Sequence, residues 1–266
     1  MSMKLTKLIL VFIFLVTSIS FSQETEPIDA LVTDRPDQTE SSSTMQKGFL
    51  QIETGIGYES YEENNIEFSR STLNTTLLRF GLLDNLELRL GWDFVEGSTK
   101  ISGNKLNNVS SGFSPLLIGV KIGIAEEKNG LPEIALLLHT SHPFFAGNDF
   151  KTQSTGTDFR FSLSHTLSEK SSLAYNLGMV WDGDITSASY IYTLVYGYSL
   201  TDKLGCYAEL YGDIPEGNKA NHLWNAGFTY LVSNNFQLDI LGGTSITKGQ
   251  DLGLGFGASF RIPSKS

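Results

Sequence analysis

Residues 85–96 read Asn-Leu-Glu-Leu-Arg-Leu-Gly-Trp-Asp-Phe-Val-Glu. Side chains of an extended strand point alternately to its two faces. Leu86, Leu88, Leu90, Trp92 and Phe94 therefore share one face, and Glu87, Arg89, Gly91, Asp93 and Val95 the other. The same period of two recurs outward in both directions. Leu50, Ile52, Ile56 and Tyr58 oppose Gln51, Glu53, Gly55 and Gly57, and Leu252, Leu254, Phe256, Phe260 and Ile262 oppose Gly253, Gly255, Gly257, Ser259 and Arg261. Leu173, Tyr175, Leu177, Met179 and Trp181 oppose Ala174, Asn176, Gly178 and Asp182. Weaker versions at 67–83, 113–125, 132–143, 157–167, 188–200, 204–212, 222–233 and 235–243 bring the expected number of strands to about twelve.

The connections fall into two kinds. Asp84-Asn85, Ser168-Glu169-Lys170, Thr201-Asp202-Lys203, Ser233-Asn234 and the segment 126–131 are short and rich in turn formers. Segments 61–66, 96–112, 144–156, 183–188, 213–221 and 244–250 are mostly longer and more polar. Short turns at one end and long loops at the other describe an all-β, closed, up-and-down antiparallel barrel. Pro115, Pro132, Pro143, Pro215 and Pro263 agree, since all fall at strand ends or in loops.

Alternation alone does not say which face meets water. Several features place the apolar face outside, against lipid. That face carries more Leu, Phe, Tyr and Trp than a soluble barrel would readily pack inside. Of thirteen lysines only Lys121 sits mid-strand, whereas a solvated outer wall would carry more. Trp92, Trp181 and Trp224 fall near the long-loop ends of their strands, with Tyr58, Phe94, Phe159, Tyr190 and Tyr192 at the same level, the pattern of an interfacial aromatic girdle. The mean hydropathy of -0.07 is then an average over a lipid face and a water face.

The first 22 residues support export. Lys4 and Lys7 precede the apolar run Leu8–Val16, and Ser20 and Ser22 suit a signal-peptidase site before Gln23. Nine apolar residues are too few to span a bilayer as a helix. The expected organisation is a signal peptide at 1–22, a polar N-terminal periplasmic segment at 23–47, an outer-membrane barrel at 48–262 and a tail at 263–266. The location is the outer membrane of a Gram-negative bacterium. The partners are outer-membrane lipid, a small-molecule solute and, during biogenesis, the barrel-assembly machinery. A net charge of -10 argues against nucleic acid, and a single cysteine, Cys206, excludes a disulfide scaffold.

Candidate chemistry lies on the inward face. Glu53, Glu87, Asp93, Asp182, Glu209 and Asp239 are acidic there, and Arg79, Arg89, Lys121, Arg160 and Arg261 are basic. Such a mixed lumen fits either a charge-paired wall or a polar path that filters solutes. Gly253-Leu254-Gly255-Phe256-Gly257 lacks the Lys-Ser/Thr of a phosphate loop and reads as a strand with an empty inner face. His139, His142, His165 and His222 are not spaced as metal ligands. Ser141 and His142 are adjacent and would point to opposite faces, which argues against a lipase-like pair. No catalytic residue, metal or cofactor is expected, and the chain is read as a non-enzyme.

The polar segment contains Thr33-Asp34-Arg35-Pro36-Asp37-Gln38-Thr39-Glu40-Ser41, followed by Lys47-Gly48-Phe49-Leu50-Gln51-Ile52-Glu53. This run resembles the opening of a Bacteroidetes branch of an outer-membrane transporter family, that of meta-pathway phenol-degradation proteins. Leu78-Arg79-Phe80-Gly81-Leu82, Leu86-Glu87-Leu88-Arg89, Gly119-Val120-Lys121, Asp239 and the Gly-rich end at Phe260-Arg261 extend the resemblance over about residues 31–262. The resemblance implies a barrel transporter of small solutes, including hydrophobic or aromatic ones, and no catalysis. Passage would be by diffusion through a narrow polar lumen or by lateral escape between strands. Asp34, Arg35 and Asp37, set at the periplasmic mouth, are expected to pair with lumen charges as a latch or plug, or else to form a solvated linker. The alternative function is a non-transporting structural or surface barrel.

Overall fold

The computed structural model describes residues 28–106, 109–247 and 249–263. Twelve long strands form the wall: β1 (Leu50–Glu63), β2 (Ile66–Leu83), β3 (Leu86–Ile101), β4 (Leu116–Ala125), β5 (Glu133–His142), β6 (Gly156–Ser168), β7 (Ser171–Trp181), β8 (Ser189–Ser199), β9 (Leu204–Pro215), β10 (Asn221–Ser233), β11 (Phe236–Ser245) and β12 (Leu252–Ile262). Each pairs antiparallel with its neighbours in the chain, and β1 pairs with β12 from Leu50↔Ile262 to Ser60↔Leu252. That last ladder closes the sheet. In hydrocarbon an open edge would leave N–H and C=O groups without partners, at several kcal/mol each. The expected signal peptide, residues 1–22, lies outside the described residues.

Burial is inverted relative to a soluble protein. Ile56, Phe228 and Ile240 are 55%, 52% and 53% exposed, whereas Arg79 and Lys121 are 1% and 0% exposed. Gln51, Glu53, Glu87, Asn176, Asn225, Asp239 and Ser259 are also enclosed. The apolar face therefore points out and the polar face in, as period-two alternation on a closed sheet requires.

Two expected long loops are mostly strand. Segment 61–66 reduces to a two-residue turn at Asn64–Asn65, whose φ values of 53° and 61° are of the left-handed kind that asparagine tolerates. Within 96–112, β3 runs on to Ile101 against β2, so Lys100, expected in a loop, is a strand residue whose Nζ lies 2.8 Å from Glu67. β2 has 18 residues. A spanning strand needs about 9–11, so this hairpin projects well past the bilayer.

The β3–β4 seam is irregular. Leu86–Gly91 pairs with β4, and Phe94–Gly97 pairs with a short strand, Ser110–Phe113. Ser114 and Pro115 interrupt the two. Pro115 has no N–H to give, and Ser114 compensates locally. Its N–H donates to the Asp93 carbonyl at 2.8 Å and its Oγ accepts the Asp93 N–H at 3.0 Å.

The outward face generates a stability prediction. Ile240→Arg places a charge in the lipid-facing band and should lower the unfolding free energy in phospholipid vesicles by about 2–4 kcal/mol, measured by reversible guanidinium titration. An equal stability of variant and parent would contradict the outward assignment.

Candidate functional site

The lumen is occupied by the chain's own N-terminal segment. At the short-turn end, the Leu31 N–H donates to the Asn234 carbonyl, and Arg261 holds the Asn235 side chain and the Asp29 carbonyl. The segment then enters the barrel as a loop, reaches its inner limit over Arg35–Glu40, and returns to start β1 beside Gly81. The expected placement at the periplasmic mouth is thus deepened into the lumen itself.

Register explains the first cluster. Gln51 pairs with Arg79, Arg79 with Arg89, and Glu87 with Lys121, so these side chains project inward from adjacent strands. Asp34 of the loop sits among their cations. Its Oδ2 lies 2.7 Å from Arg89 Nη1 and 3.2 Å from Arg79 Nη1, and its Oδ1 lies 3.0 Å from Lys121 Nζ. Arg79 also bonds Glu53 at 3.0 Å and Glu87 at 2.8 Å, and Arg89 bonds Glu87 at 3.0 Å. The wall alone supplies three cations and two acids here. Asp34 provides the third acid. Removing one member of a buried ionic network typically costs about 3–5 kcal/mol, because the remaining charge stays buried and uncompensated.

A second anchor is Glu209. Its carboxylate accepts the Gln38 N–H at 2.9 Å, the Thr39 hydroxyl at 2.7 Å and the Asn225 amide at 2.6 Å. Asn176 clamps the next residue from both sides: its Oδ1 accepts the Glu40 N–H at 2.7 Å, and its Nδ2 donates to the Glu40 carbonyl at 2.9 Å. The Glu40 carboxylate itself lies 2.7 Å from Arg89 Nη2. On the return path the Met45 N–H donates to Glu87 at 2.9 Å. The third anchor is Arg35, which bonds Asp239 at 3.1 and 3.3 Å and Thr75 at 3.2 Å.

The expected lumen residues therefore divide. Glu53, Arg79, Glu87, Arg89, Lys121, Glu209 and Asp239 converge on the loop. Asp93 lines an outer cavity instead. Arg160 pairs with Asp158 two residues before it, at 2.7 Å, and His139 Nδ1 stands 3.6 Å from the same carboxylate. Arg261 works at the rim. Asp182 is a correction: β7 ends at Trp181, and the Asp182 carboxylate caps the following loop by accepting the N–H groups of Asp184 and Ile185 at 2.8 Å. Asp37 is another. Unlike Asp34 and Arg35 it makes none of the ion pairs above and lines a lower cavity.

Asp158, Asn176, Asn225, Gln38, Thr39 and Glu40 were not singled out by sequence. Parity on β6, β7 and β10 marks the first three as inward; Asn176 and Asn225 are neutral amides, which attract no notice in a search for charge, whereas Asp158 is a charged inward residue that the same parity would have found.

The aromatic set lies on the outer face by strand parity, and one member also borders a cavity. Phe94 meets Phe113 edge-on at 5.1 Å, Phe159 lies 6.4 Å from Trp181, and the Tyr192 hydroxyl is 2.7 Å from His222 Nδ1. Tyr58, Tyr190 and Trp224 also point outward. Trp92 stands at the β3–β4 break and lines the outer cavity with Pro115.

Two cavities flank the loop. The outer one, of about 380 Å³, is lined by the apolar Leu77, Trp92, Pro115 and Leu117 and by the polar or charged Arg35, Glu40, Glu53, Thr75, Arg89, Asp93 and Ser141. The lower one, of about 390 Å³, lies between the loop and the short-turn ends of β6–β10.

Asp34→Asn should lower stability by about 3 kcal/mol or more and expose the loop to added protease from the short-turn side. Unfolding titration and N-terminal sequencing of the digest would measure both. A loop still protected, with stability unchanged, would show that Asp34 does not hold it.

The sequence profile of the family described as "Putative MetA-pathway of phenol degradation" matches residues 33–262. An outer-membrane channel from Pseudomonas putida F1 superposes with a TM-score of 0.65 at 11% identity, covering 83% of this chain and 98% of the other. The KdgM porin gives 0.53 at 9% identity, over 80% and 99% of the two chains, and the NanC porin 0.52 at 9%, over 79% and 100%. At these identities the likeness is one of fold. No curated protein matches the chain significantly.

Proposed function

Because the chain belongs to the family described as "Putative MetA-pathway of phenol degradation", we propose that it forms a passage across the outer membrane for small solutes, including hydrophobic or aromatic ones, held shut at rest by its N-terminal loop. The observation that carries this reading is the outer cavity. Its Leu77, Trp92, Pro115 and Leu117 offer apolar contacts for a ring, and Thr75, Asp93 and Ser141 offer partners for a polar substituent. Beyond that cavity the way is closed by the loop, whose Asp34, Arg35 and Glu40 are bonded to the wall. The loop therefore acts as a latch, and transport requires it to shift. Movement is passive, down a concentration gradient, and calls for no cofactor.

A second reading, a structural barrel closed for good, draws on the same ion pairs. The cluster around Asp34 rigidifies the lower lumen and would brace a wall that never opens.

Deleting residues 31–44 separates the two. The deletion variant is reconstituted after its folded state is confirmed by heat-modifiable migration and circular dichroism. Under the passage reading, single-channel conductance and liposome uptake of phenol rise severalfold over the parent. A folded variant with unchanged conductance and uptake would leave the structural barrel as the function.

A further inference from the structure

Arg35 is the one residue of the loop that borders both cavities on this part of the path. It appears in the lining of the outer cavity beside Thr75 and Asp93, and in that of the lower cavity beside Asp37 and Tyr207. The wall is shaped to receive it. Gly55 of β1 and Gly257 of β12 are register partners. A Cβ at Gly55 would fall 2.5 Å from the Arg35 Nη2, and one at Gly257 would fall closer still. Neither glycine has a positive φ that would otherwise demand it. Both are therefore empty for space, and together they form a cradle into which the planar guanidinium lies, with Asp239 on one edge and Thr75 on the other.

Charge gives the cradle a second consequence. Arg35 is the only basic residue in the stretch 28–46, which holds Asp29, Asp34, Asp37 and Glu40. The carboxylates of Asp93 in the outer cavity, of Asp239 at the cradle, and of Asp37 and Glu209 below it put acids on both sides of Arg35; of the other cations lining these cavities, Arg89 is already held by Asp34, Glu40 and Glu87, and Lys170 stands at the β6–β7 turn. A fixed charge in a narrow, partly desolvated constriction outweighs charges farther along the wall.

We propose that the Arg35 guanidinium, seated on Gly55 and Gly257, is the septum between the two halves of the lumen and the residue that keeps cations from passing. This rests on the passage reading above. It assigns the barrier to one side chain rather than to the bulk of the loop. Without that side chain the two cavities join, and Asp239, left unpaired, faces the opening and favours cations.

The test uses the full chain in planar bilayers with KCl gradients. Arg35→Ala should raise conductance above the parent but below the 31–44 deletion. It should also raise the K⁺ to Cl⁻ permeability ratio about tenfold, the ratio to which 1.4 kcal/mol corresponds. Arg35→Lys keeps the charge and loses the planar fork, so it should conduct more than the parent with little change in selectivity. Gly257→Ala, which crowds the cradle, should shift conductance in the same direction as Arg35→Lys. Protease digestion reports whether the loop stays seated in each variant, and heat-modifiable migration reports whether the barrel is folded. If the deletion opens the channel and Arg35→Ala does not, the septum is elsewhere on the loop and the proposal falls while the passage reading stands. If Arg35→Ala conducts as much as the deletion and its loop is cleaved, Arg35 is a tether and not a septum, which also overturns the proposal. If the deletion itself stays closed, the passage reading has failed, whatever Arg35 does.

Discussion

The lower lumen is built around one imbalance. Arg79, Arg89 and Lys121 project inward from β2, β3 and β4, with Glu53 and Glu87 as the wall's own counter-charges in the cluster. Three buried cations against two acids would be costly in an enclosed space, since each uncompensated ion forfeits its hydration. Asp34 offsets the excess by touching all three cations at 2.7–3.2 Å, and Glu40 adds a fourth carboxylate at the cluster's edge through Arg89. The N-terminal segment is thereby part of the folded barrel rather than an appendage to it. Its remaining bonds, from Gln38 to Glu209 and from Glu40 to Asn176 and Arg89, follow once Asp34 has entered.

The outer face obeys a different rule. Lipid offers no hydrogen bonds, so the wall must satisfy its backbone internally and present apolar side chains outward. β1 and β12 meet for that reason, and the glycines on their inner faces have a use that closure creates. Gly55 and Gly257 bring the wall close enough for Arg35 to lie flat against it. The break at Ser114–Pro115 interrupts the β3–β4 ladder, and Trp92 borders the outer cavity beside it.

Much of this was legible along the chain. Leu86 to Val95 displays its two faces without help from any other strand, because a period of two is a property of the extended backbone. Inward positions such as Glu53, Arg79, Glu87, Arg89, Lys121, Glu209 and Asp239 follow from parity alone. Asp182 misled because parity was continued one residue past the end of β7, where the carboxylate prefers to cap a loop. Segment 61–66 misled because polar residues on a projecting hairpin look like loop. Asp37 is an acid like Asp34 yet makes no ion pair among the described residues, since only the path of the loop through the lumen decides which acid arrives among the arginines.

Strand count, the direction of each face and the family were thus decided residue by residue, through alternation, turn chemistry and a leader motif, all of which act over a few neighbours in the chain. The partners of the leader were decided only by closure. Arg35 and Asp239 are separated by 204 positions, and Gln38 and Glu209 by 171. No local pattern relates residues so far apart. They meet because a closed wall of fixed radius brings every inward side chain toward a common axis, and because the N-terminal segment inside the wall meets the charges left unbalanced there.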